Sequence, residues 1–477
     1  MTLGCPARLL PALLGAFALA GCAVGPDYRA PELEVPAAWT EAGRGTSAAK
    51  AADLSRWWRQ LDDPLMSELI DEALAASPDM KTARARLREA RARRDLASSQ
   101  RFPEVGASAA ASRTDGSGET GSGTAFNRYG VGLDASWEAD VFGGRRRALE
   151  AAQADLEASQ ADLYATQVSL AAEVALAYVD LRSAQARLAT ARSNLASQSE
   201  TLQLTEWRAQ AGLTSSLNVE QARANNEQTR AALPLLETGI AESAHRLAIL
   251  LGRPPGVLKD RLGVPGPIPA APDTLAVGIP ADTLRQRPDV RAAERNLAAA
   301  TAVVGVAEAA RYPNLSFTGS IGLEALQAGR LFDGSAGLYS LAASIVAPVF
   351  DAGRRQQQVE IQDALREQAL VGYEKTVLLA LEEVENALVG LANAHARREA
   401  LTAAAEAARN AALLARQRFS TGIIDFQVVL DTERTALVID DALAAAQAEV
   451  AASLVRLYKA LGGGWSQAQA NGTEIRQ

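Results

Sequence analysis

The side chains able to carry metal or nucleophilic chemistry are few: Cys5, Cys22, His245 and His395 are all the cysteines and histidines in 477 residues. No two share the short spacing that gathers thiolates or imidazoles around one ion, so a protein metal site of that kind is not expected. Gly116-Ser117-Gly118-Glu119-Thr120-Gly121 has the letter pattern of a dinucleotide-binding turn. Such a turn must join a buried parallel strand to a helix whose N-terminus holds pyrophosphate, and neither flank reads that way. No phosphate-gripping lysine loop, nucleophile elbow or paired-histidine motif occurs elsewhere. The residues point away from an enzyme and from any cofactor.

The thiol with a chemical role is Cys22. Residues 1–21 carry a single Arg8 and then an apolar run through Leu9, Leu10, Leu13, Leu14, Phe17 and Leu19, ending Leu19-Ala20-Gly21-Cys22. The run is too short to span a bilayer and reads as a secretory signal. Its end looks like a bacterial lipobox, in which the cysteine becomes the acylated first residue of the mature chain and anchors it to lipid. Ala23, rather than aspartate, follows, which by resemblance to sorted lipoproteins implies the outer membrane. With Cys22 acylated, no disulfide can form within one mature chain. Residues 22–55, rich in proline, glycine and alanine, read as an extended tether from the lipid to the body.

The 48 basic residues against 56 acidic give a net charge of −8. Loss of Arg8 with the signal makes the balance 47 against 56, or −9. That argues against nucleic acid as a partner, since releasing phosphate counterions needs a basic face. The run Arg84, Arg86, Arg88, Arg91, Arg93 and Arg94 is interleaved with alanine and leucine at helical spacing and reads as a solvated helix face. With 48% hydrophobic and only 5% aromatic residues, alanine carries the apolar excess, which favours helical rods.

The rod that organises the chain runs from Arg145 to about Arg208 without proline or glycine. Fully helical, it would reach about 95 Å, too long for a compact domain. Leu149, Leu156, Leu163 and Leu170 recur at sevens; Val174, Leu181, Leu188, Leu195 and Leu202 continue after a step of four, marking the two seam positions of a coiled coil. The chain is then one unit written twice. Ser77-Pro78-Asp79-Met80 answers Arg287-Pro288-Asp289-Val290, Arg101-Phe102-Pro103 answers Arg311-Tyr312-Pro313, and Gln210-Ala211-Gly212 answers Ser420-Thr421-Gly422. The offset is 210 residues, as in 288 less 78. Residues 56–252 form the first repeat, with strands near 105–112 and 129–141 and long helices near 145–208 and 215–251. Residues 253–280, with seven prolines, form a linker. The second repeat, 281–462, carries strands near 315–323 and 338–350 and long helices near 354–418 and 425–461; residues 463–477 form a tail. Pro234 is expected to kink or break the first return helix, where the second repeat has Ala444.

The strands alternate, most clearly from Tyr129 to Trp137, where Tyr129, Val131, Leu133, Ala135 and Trp137 share one side. That pattern fits a transmembrane barrel strand, and locally it fits a hairpin packed on a soluble core as well. Four strands cannot close a barrel, for the smallest membrane barrels use about eight, so copies must combine.

In combination these motifs resemble the TolC-like outer-membrane efflux channels, and within them the NodT-type lipoprotein outer factors of resistance-nodulation-division (RND) pumps. The resemblance rests on the lipobox followed by Gly25-Pro26-Asp27-Tyr28, on Trp57-Trp58 with Asp63-Pro64, on Arg287-Pro288-Asp289-Val290-Arg291-Ala292-Ala293-Glu294, and on the two glycine turns with their arginines. It implies a mainly α fold with a β-barrel portion: a homotrimer whose twelve-stranded transmembrane β-barrel continues into a periplasmic α-helical barrel. It implies a passive duct that exports small molecules such as drugs, with energy supplied by an inner-membrane RND-type pump through a periplasmic adaptor protein. The helix tips at Arg208, Gly212, Arg418 and Gly422 would meet that adaptor. Asp431 matches an inward acidic position that narrows the entrance, with Gln427 and Val428 beside it and Gln221 and Leu217 as the first-repeat counterparts. Valine at 428 stands where relatives carry a second acid, which argues against a double acidic ring. Two other readings stay open from sequence: a lipid-anchored periplasmic coiled-coil scaffold, and the outer channel of a type I protein secretion system.

Overall fold

The computed structural model describes residues 23–40, 46–47, 54–117, 119, 124–270, 275–276 and 280–466. The signal segment and Cys22 lie outside the described residues, as does most of the tail beyond Ser466. The main elements are α1 (Pro64–Ala76), α2 (Pro78–Ser99), β1 (Glu104–Thr114), β2 (Phe126–Ala139), α3 (Gly144–Gln210) and α4 (Ser216–Leu250). The second repeat follows with α5 (Pro280–Gln286), α6 (Pro288–Ala309), β3 (Asn314–Ala325), β4 (Gly337–Val346), α7 (Arg354–Ser420) and α8 (Phe426–Ala460). The duplication is carried into length: α3 and α7 are 67 residues each, α4 and α8 are 35 each. None of the described helices is long and apolar enough to cross a membrane.

The chain divides into two compact units. The first, Met1–Glu32 with Arg86–Gln160 and Ala292–Lys375, contains a four-stranded antiparallel sheet in the order β1-β2-β3-β4. Residues directly opposed in an antiparallel pair share a face. Trp137 opposes Phe317 and Phe317 opposes Ala343; Leu133 opposes Ala107 and Ile321, and Ile321 opposes Tyr339. One face therefore reads Val105, Ala107, Tyr129, Val131, Leu133, Trp137, Phe317, Ile321, Leu323, Tyr339, Leu341 and Ile345. The other reads Ser108, Asp134, Ser136, Glu138, Ser316, Thr318, Ser320, Ser340 and Ser344, with Ser108 donating to Asp134 at 2.9 Å. The apolar face is largely exposed, and β1 and β4 each leave one edge unpaired.

Two strand ends fall short of the sequence expectation, for local reasons. β4 stops at Val346 rather than running to 350, because Pro348 has no N–H to offer a ladder. β2 stops at Ala139 because the Asp140 carboxylate turns to cap α3, accepting from the amides of Arg145 at 3.0 Å and Arg146 at 2.8 Å. Asp351 repeats the device before α7, accepting from Gly353 and Arg355.

The segment after Cys22 is extended but docked within the first unit, not a free tether. Arg147, buried on α3, donates to the Val24 carbonyl at 3.2 Å, the Gly25 carbonyl at 3.3 Å and the Asp27 carboxylate at 2.7 Å. Tyr28 donates to Glu294 at 3.0 Å and packs on Ala154, Ala298 and Ala299. Gly25, at φ +90°, lies so close to Gly305 that a Cβ would come within 2.5 Å of the Gly305 Cα.

The second unit, Leu33–Ala85 with Ala161–Arg291 and Thr376–Gln477, holds the larger core. Trp57 stacks on Tyr458 at 5.1 Å and meets Trp58 edge-on at 5.8 Å. Asp63 caps α1 with one oxygen, 2.9 Å from the Met66 amide, and accepts the Tyr178 hydroxyl on the other, also at 2.9 Å. Arg287 lies buried among Asp289 at 2.6 Å, Glu383 at 2.7 Å and the Ala460 carbonyl at 2.9 Å. This ties the start of the second repeat to its last helix. Pro234 does not break α4, which runs unbroken across it. The buried residues of α4, Asn225, Asn226 and Thr229 before the proline and Leu247 and Ala248 well after it, anchor the helix at both ends, while the residues around Pro234 are exposed or half-buried.

Candidate functional site

The residues singled out at the helix tips all belong to the second unit. Both tips are built alike. Gly212 and Gly422 take φ of +71° and +79°, a left-handed conformation that glycine enters without Cβ strain. The Leu213 amide donates to the Arg208 carbonyl at 2.8 Å and Gly212 to Ala209 at 3.0 Å; Ile423 donates to Arg418 and Gly422 to Phe419, each at 2.9 Å. These are paired six-to-one and five-to-two bonds, which satisfy the last carbonyls of α3 and α7 and reverse the chain into α4 and α8.

The two arginines are not alike. Arg208 lies over the Phe419 ring at 4.5 Å and donates to the Phe419 carbonyl, so the first tip grips the second. Arg418 is exposed, and no side-chain partner is found for it among the described residues. The ring under Arg208 comes from Phe419, the residue after Arg418; the residue after Arg208 is Ala209, which carries no ring. Phe419, Phe426, Val429, Leu430, Ala415 and Ala222 form a small buried cluster that packs α4 and α8 together just behind the tips.

Asp431, Gln427 and Val428 lie exposed one turn apart on α8, and Gln427 donates to Asp431 at 3.0 Å. Leu217 is exposed and Gln221 half-buried on α4, next to Ala222 of the buried cluster. The face that carries them is thus solvated in one chain, and on α8 it holds one carboxylate. Behind it sits a charged layer that sequence reasoning missed. Glu433 is buried, accepts from Thr201 of α3 at 2.8 Å and lies 3.9 Å from Arg416; burial pushes its carboxyl above the usual range, against the opposing pull of Thr201 and Arg416. Arg409 donates to buried Asp440 at 2.7 Å, Arg187 grips Asp441 with bonds of 2.6 and 3.0 Å, and Arg434 donates to Asn225 at 3.0 Å. Glu433 could have been suspected as an acid at a seam position; its partners, 232 residues away or across a hairpin, could not. Among the described residues no group of histidine, cysteine and carboxylates could hold a metal ion.

The family model for outer membrane efflux proteins matches residues 69–253 and 279–463, two spans with the same offset as the repeat. The chain belongs to the outer membrane efflux protein family. Among its efflux relatives, the solvent efflux pump outer membrane protein SrpC of Pseudomonas putida is 32% identical over 94% of this chain and 97% of that protein. Nodulation protein T of Rhizobium leguminosarum bv. trifolii is 31% identical over 94% of this chain and 96% of its own. Of solved structures, the outer-membrane channel OprN superposes with a TM-score of 0.88 at 40% identity, covering 93% of this chain and all of that one. The open state of the MtrE channel of Neisseria gonorrhoeae gives 0.82 at 29% identity, over 94% and 99%. The efflux protein is accordingly an outer-membrane channel component of an efflux pump. Its family is one of channels and not of enzymes.

Proposed function

We propose that three copies of this efflux protein assemble into a passive duct, their sheets closing one transmembrane barrel and their long helices one periplasmic barrel. The observation that carries the reading is the register of the sheet: one exposed face apolar apart from Arg113 and Asn127 at its loop end, the opposite face serine-rich, and two edges left open among the described residues. Open edges are not tolerated in lipid, where each unpaired backbone group costs several kcal/mol, so β1 and β4 must pair with other copies. Two copies give about eight strands with a filled interior; three give about twelve, with room for a lumen. The apolar face then meets lipid and the serine face lines the water-filled interior. A periplasmic scaffold has no use for such a face.

In this assembly the tips at Arg208, Gly212, Arg418 and Gly422 meet a periplasmic adaptor, with Arg418 the guanidinium free to do so. Asp431, flanked by Gln427 and Val428 and by Leu217 and Gln221, forms the entrance constriction; three carboxylates around one axis repel one another and favour cations. Acylated Cys22 holds the chain to the outer membrane, and an inner-membrane RND-type pump supplies the energy. Relatives named for solvent, antibiotic and pyoverdine export argue for small organic molecules as cargo. Single-channel conductance of the lipidated protein in planar bilayers, with Asp431→Ala beside it, tests the reading. Small cation-selective openings that grow in the variant are expected. Openings that the substitution leaves unchanged remove Asp431 from the entrance, and a trimer that inserts but never conducts removes the duct.

A further inference from the structure

The two return helices close on the same turn and then part company. α4 is followed by Gly252 at φ +71°, and α8 by Gly462 at φ +74°. Each glycine lies against the start of its own repeat. A Cβ on Gly252 would come within 2.9 Å of the Ala76 carbonyl oxygen, and one on Gly462 within 3.2 Å of the Arg287 Cα. Beyond the turn the first repeat runs Arg253-Pro254-Pro255, all exposed, with Arg253 paired to Glu72 of α1. The second runs Gly463-Gly464-Trp465 and goes back into the core, where Trp465 is only 8% exposed.

Each of these three residues holds a different part of the second unit. The Gly463 amide donates to the Tyr458 carbonyl at 2.9 Å, and a Cβ there would lie 3.0 Å from the Trp57 ring. The Gly464 amide donates to the Leu54 carbonyl at 2.8 Å, and the Gly464 carbonyl accepts from Gln167 of α3 at 3.0 Å. Trp465 stacks on Tyr164 of α3 at 4.8 Å and carries the Arg291 guanidinium over its ring at 5.4 Å. Its indole N–H donates to the Gln286 carbonyl at the end of α5, at 3.0 Å. The run therefore touches the lead into the first repeat, the flank of α3 and the start of the second repeat at once. The first repeat cannot build the same contacts. Pro254 stands where the Gly464 amide donates and has no N–H, and Pro255 stands in place of the tryptophan.

We propose that Gly463-Gly464-Trp465 is a clasp that fastens the starts of both repeats to α3, so that releasing it opens the two starts together while the long helices keep their form. The other ties at these places stay within one repeat: Asp63 to Tyr178 in the first, Arg287 to Asp289, Glu383 and Ala460 in the second. The clasp crosses between them, and contacts that join segments distant in sequence are what make those segments open as one unit. The core around Trp57 thus closes only once the segment beyond α8 is seated, after both repeats have been made. This concerns a single chain and does not depend on how copies combine.

The test is hydrogen exchange of the full-length protein in detergent micelles, read segment by segment by mass spectrometry, with helix content followed by circular dichroism. In Trp465→Ala, exchange in residues 54–61 and 283–291 is expected to quicken at least tenfold in both, with helix content kept and the tips at 208–216 and 418–426 unchanged. Trp465→Phe keeps a ring to stack but has no N–H for Gln286, so a smaller change in the same two segments is expected. Faster exchange confined to 462–466, or in one start alone, overturns the clasp. Equal quickening through the whole unit, tips included, also overturns it, for that is the pattern of an ordinary cavity such as Leu247→Ala in the same core. Should Trp465→Ala yield no folded protein, Gly463→Ala gives the same readout, since it keeps every donor and only crowds Trp57. It is expected to open both starts, and a change at 462–466 alone counts against the clasp in the same way.

Discussion

An arginine placed at Leu133 should cost far more than one placed at Ser320, although the two positions lie one row apart on the same sheet. Leu133 is on the apolar face, 50% exposed, with Ala107 and Ile321 opposite it. It stands four residues from Tyr129 and four from Trp137, the aromatic residues that share its face. At about 3.4 Å per residue and a tilt of about 40°, each residue advances about 2.6 Å along the membrane normal, so the two rings are about 21 Å apart. That fits an apolar band about 25 Å tall with aromatic residues at both rims, and it puts Leu133 about 10 Å from either, at the midplane. Leu133→Arg should therefore lose about 2–4 kcal/mol per chain, or about 6–12 kcal/mol in a trimer. Ser320 opposes Asp134 on the serine face, so Ser320→Arg gains a carboxylate neighbour in water and should stay within about 0.5 kcal/mol of the parent. Guanidinium unfolding of protein reconstituted in phosphatidylcholine vesicles, followed by the heat-modified shift on a gel, reads both. Equal costs, or a larger cost at Ser320, would refute the lipid-facing assignment and restore the scaffold reading.

Other substitutions test other parts of the argument. Arg147→Ala should release residues 23–28 from the first unit and speed proteolysis there at least tenfold, with Arg147→Lys recovering little because three acceptors need the planar fork; unchanged cleavage would mean the segment is held by Tyr28 alone. Glu433 binds a proton more readily folded than unfolded, so its contribution is most favourable near and below the unfolded pKa and is lost as pH rises through the raised folded value. Glu433→Gln should flatten that decline and leave the protein no less stable at pH 7; a steeper pH dependence of thermal unfolding in the variant would contradict this. Gly212→Ala and Gly422→Ala should each cost about 1–2 kcal/mol, felt as faster hydrogen exchange confined to the tips.

Much of this was legible in the residues because it is local. A proline after a capping aspartate at Asp63-Pro64, a glycine closing a helix at Gly212, and apolar residues alternating from Tyr129 to Trp137 each carry their own physics within a few positions. Contacts between distant segments were not legible. Nothing near Gly25-Pro26-Asp27-Tyr28 says that the run is clasped by Arg147, about 120 positions on, so its proline and glycine content reads only as an extended tether. The unbroken course of α4 across Pro234 was likewise not legible from the local sequence. That the apolar sides of all four strands share one face needed the register of the sheet, which no single strand carries.

The duplication explains why the two tips match in backbone but diverge in side chains. A glycine turn must recur wherever a long helix reverses, so Gly212 and Gly422 are tied to geometry that both repeats share. The residues facing the neighbouring hairpin are under no such rule, since Arg187, Thr201 and Asn225 of the first repeat meet Asp441, Glu433 and Arg434 of the second, and the counterparts of these side chains differ in type. Phe419 lies under Arg208, whereas the residue that answers Phe419 in the first repeat is Ala209, and Glu433 is likewise answered by Arg223. Within the chain the first hairpin is joined to the second by hydrogen bonds from Arg187 to Asp441 and from Thr201 to Glu433. A sequence that repeats its scaffold can thus keep one backbone geometry in both units while giving each its own side-chain contacts.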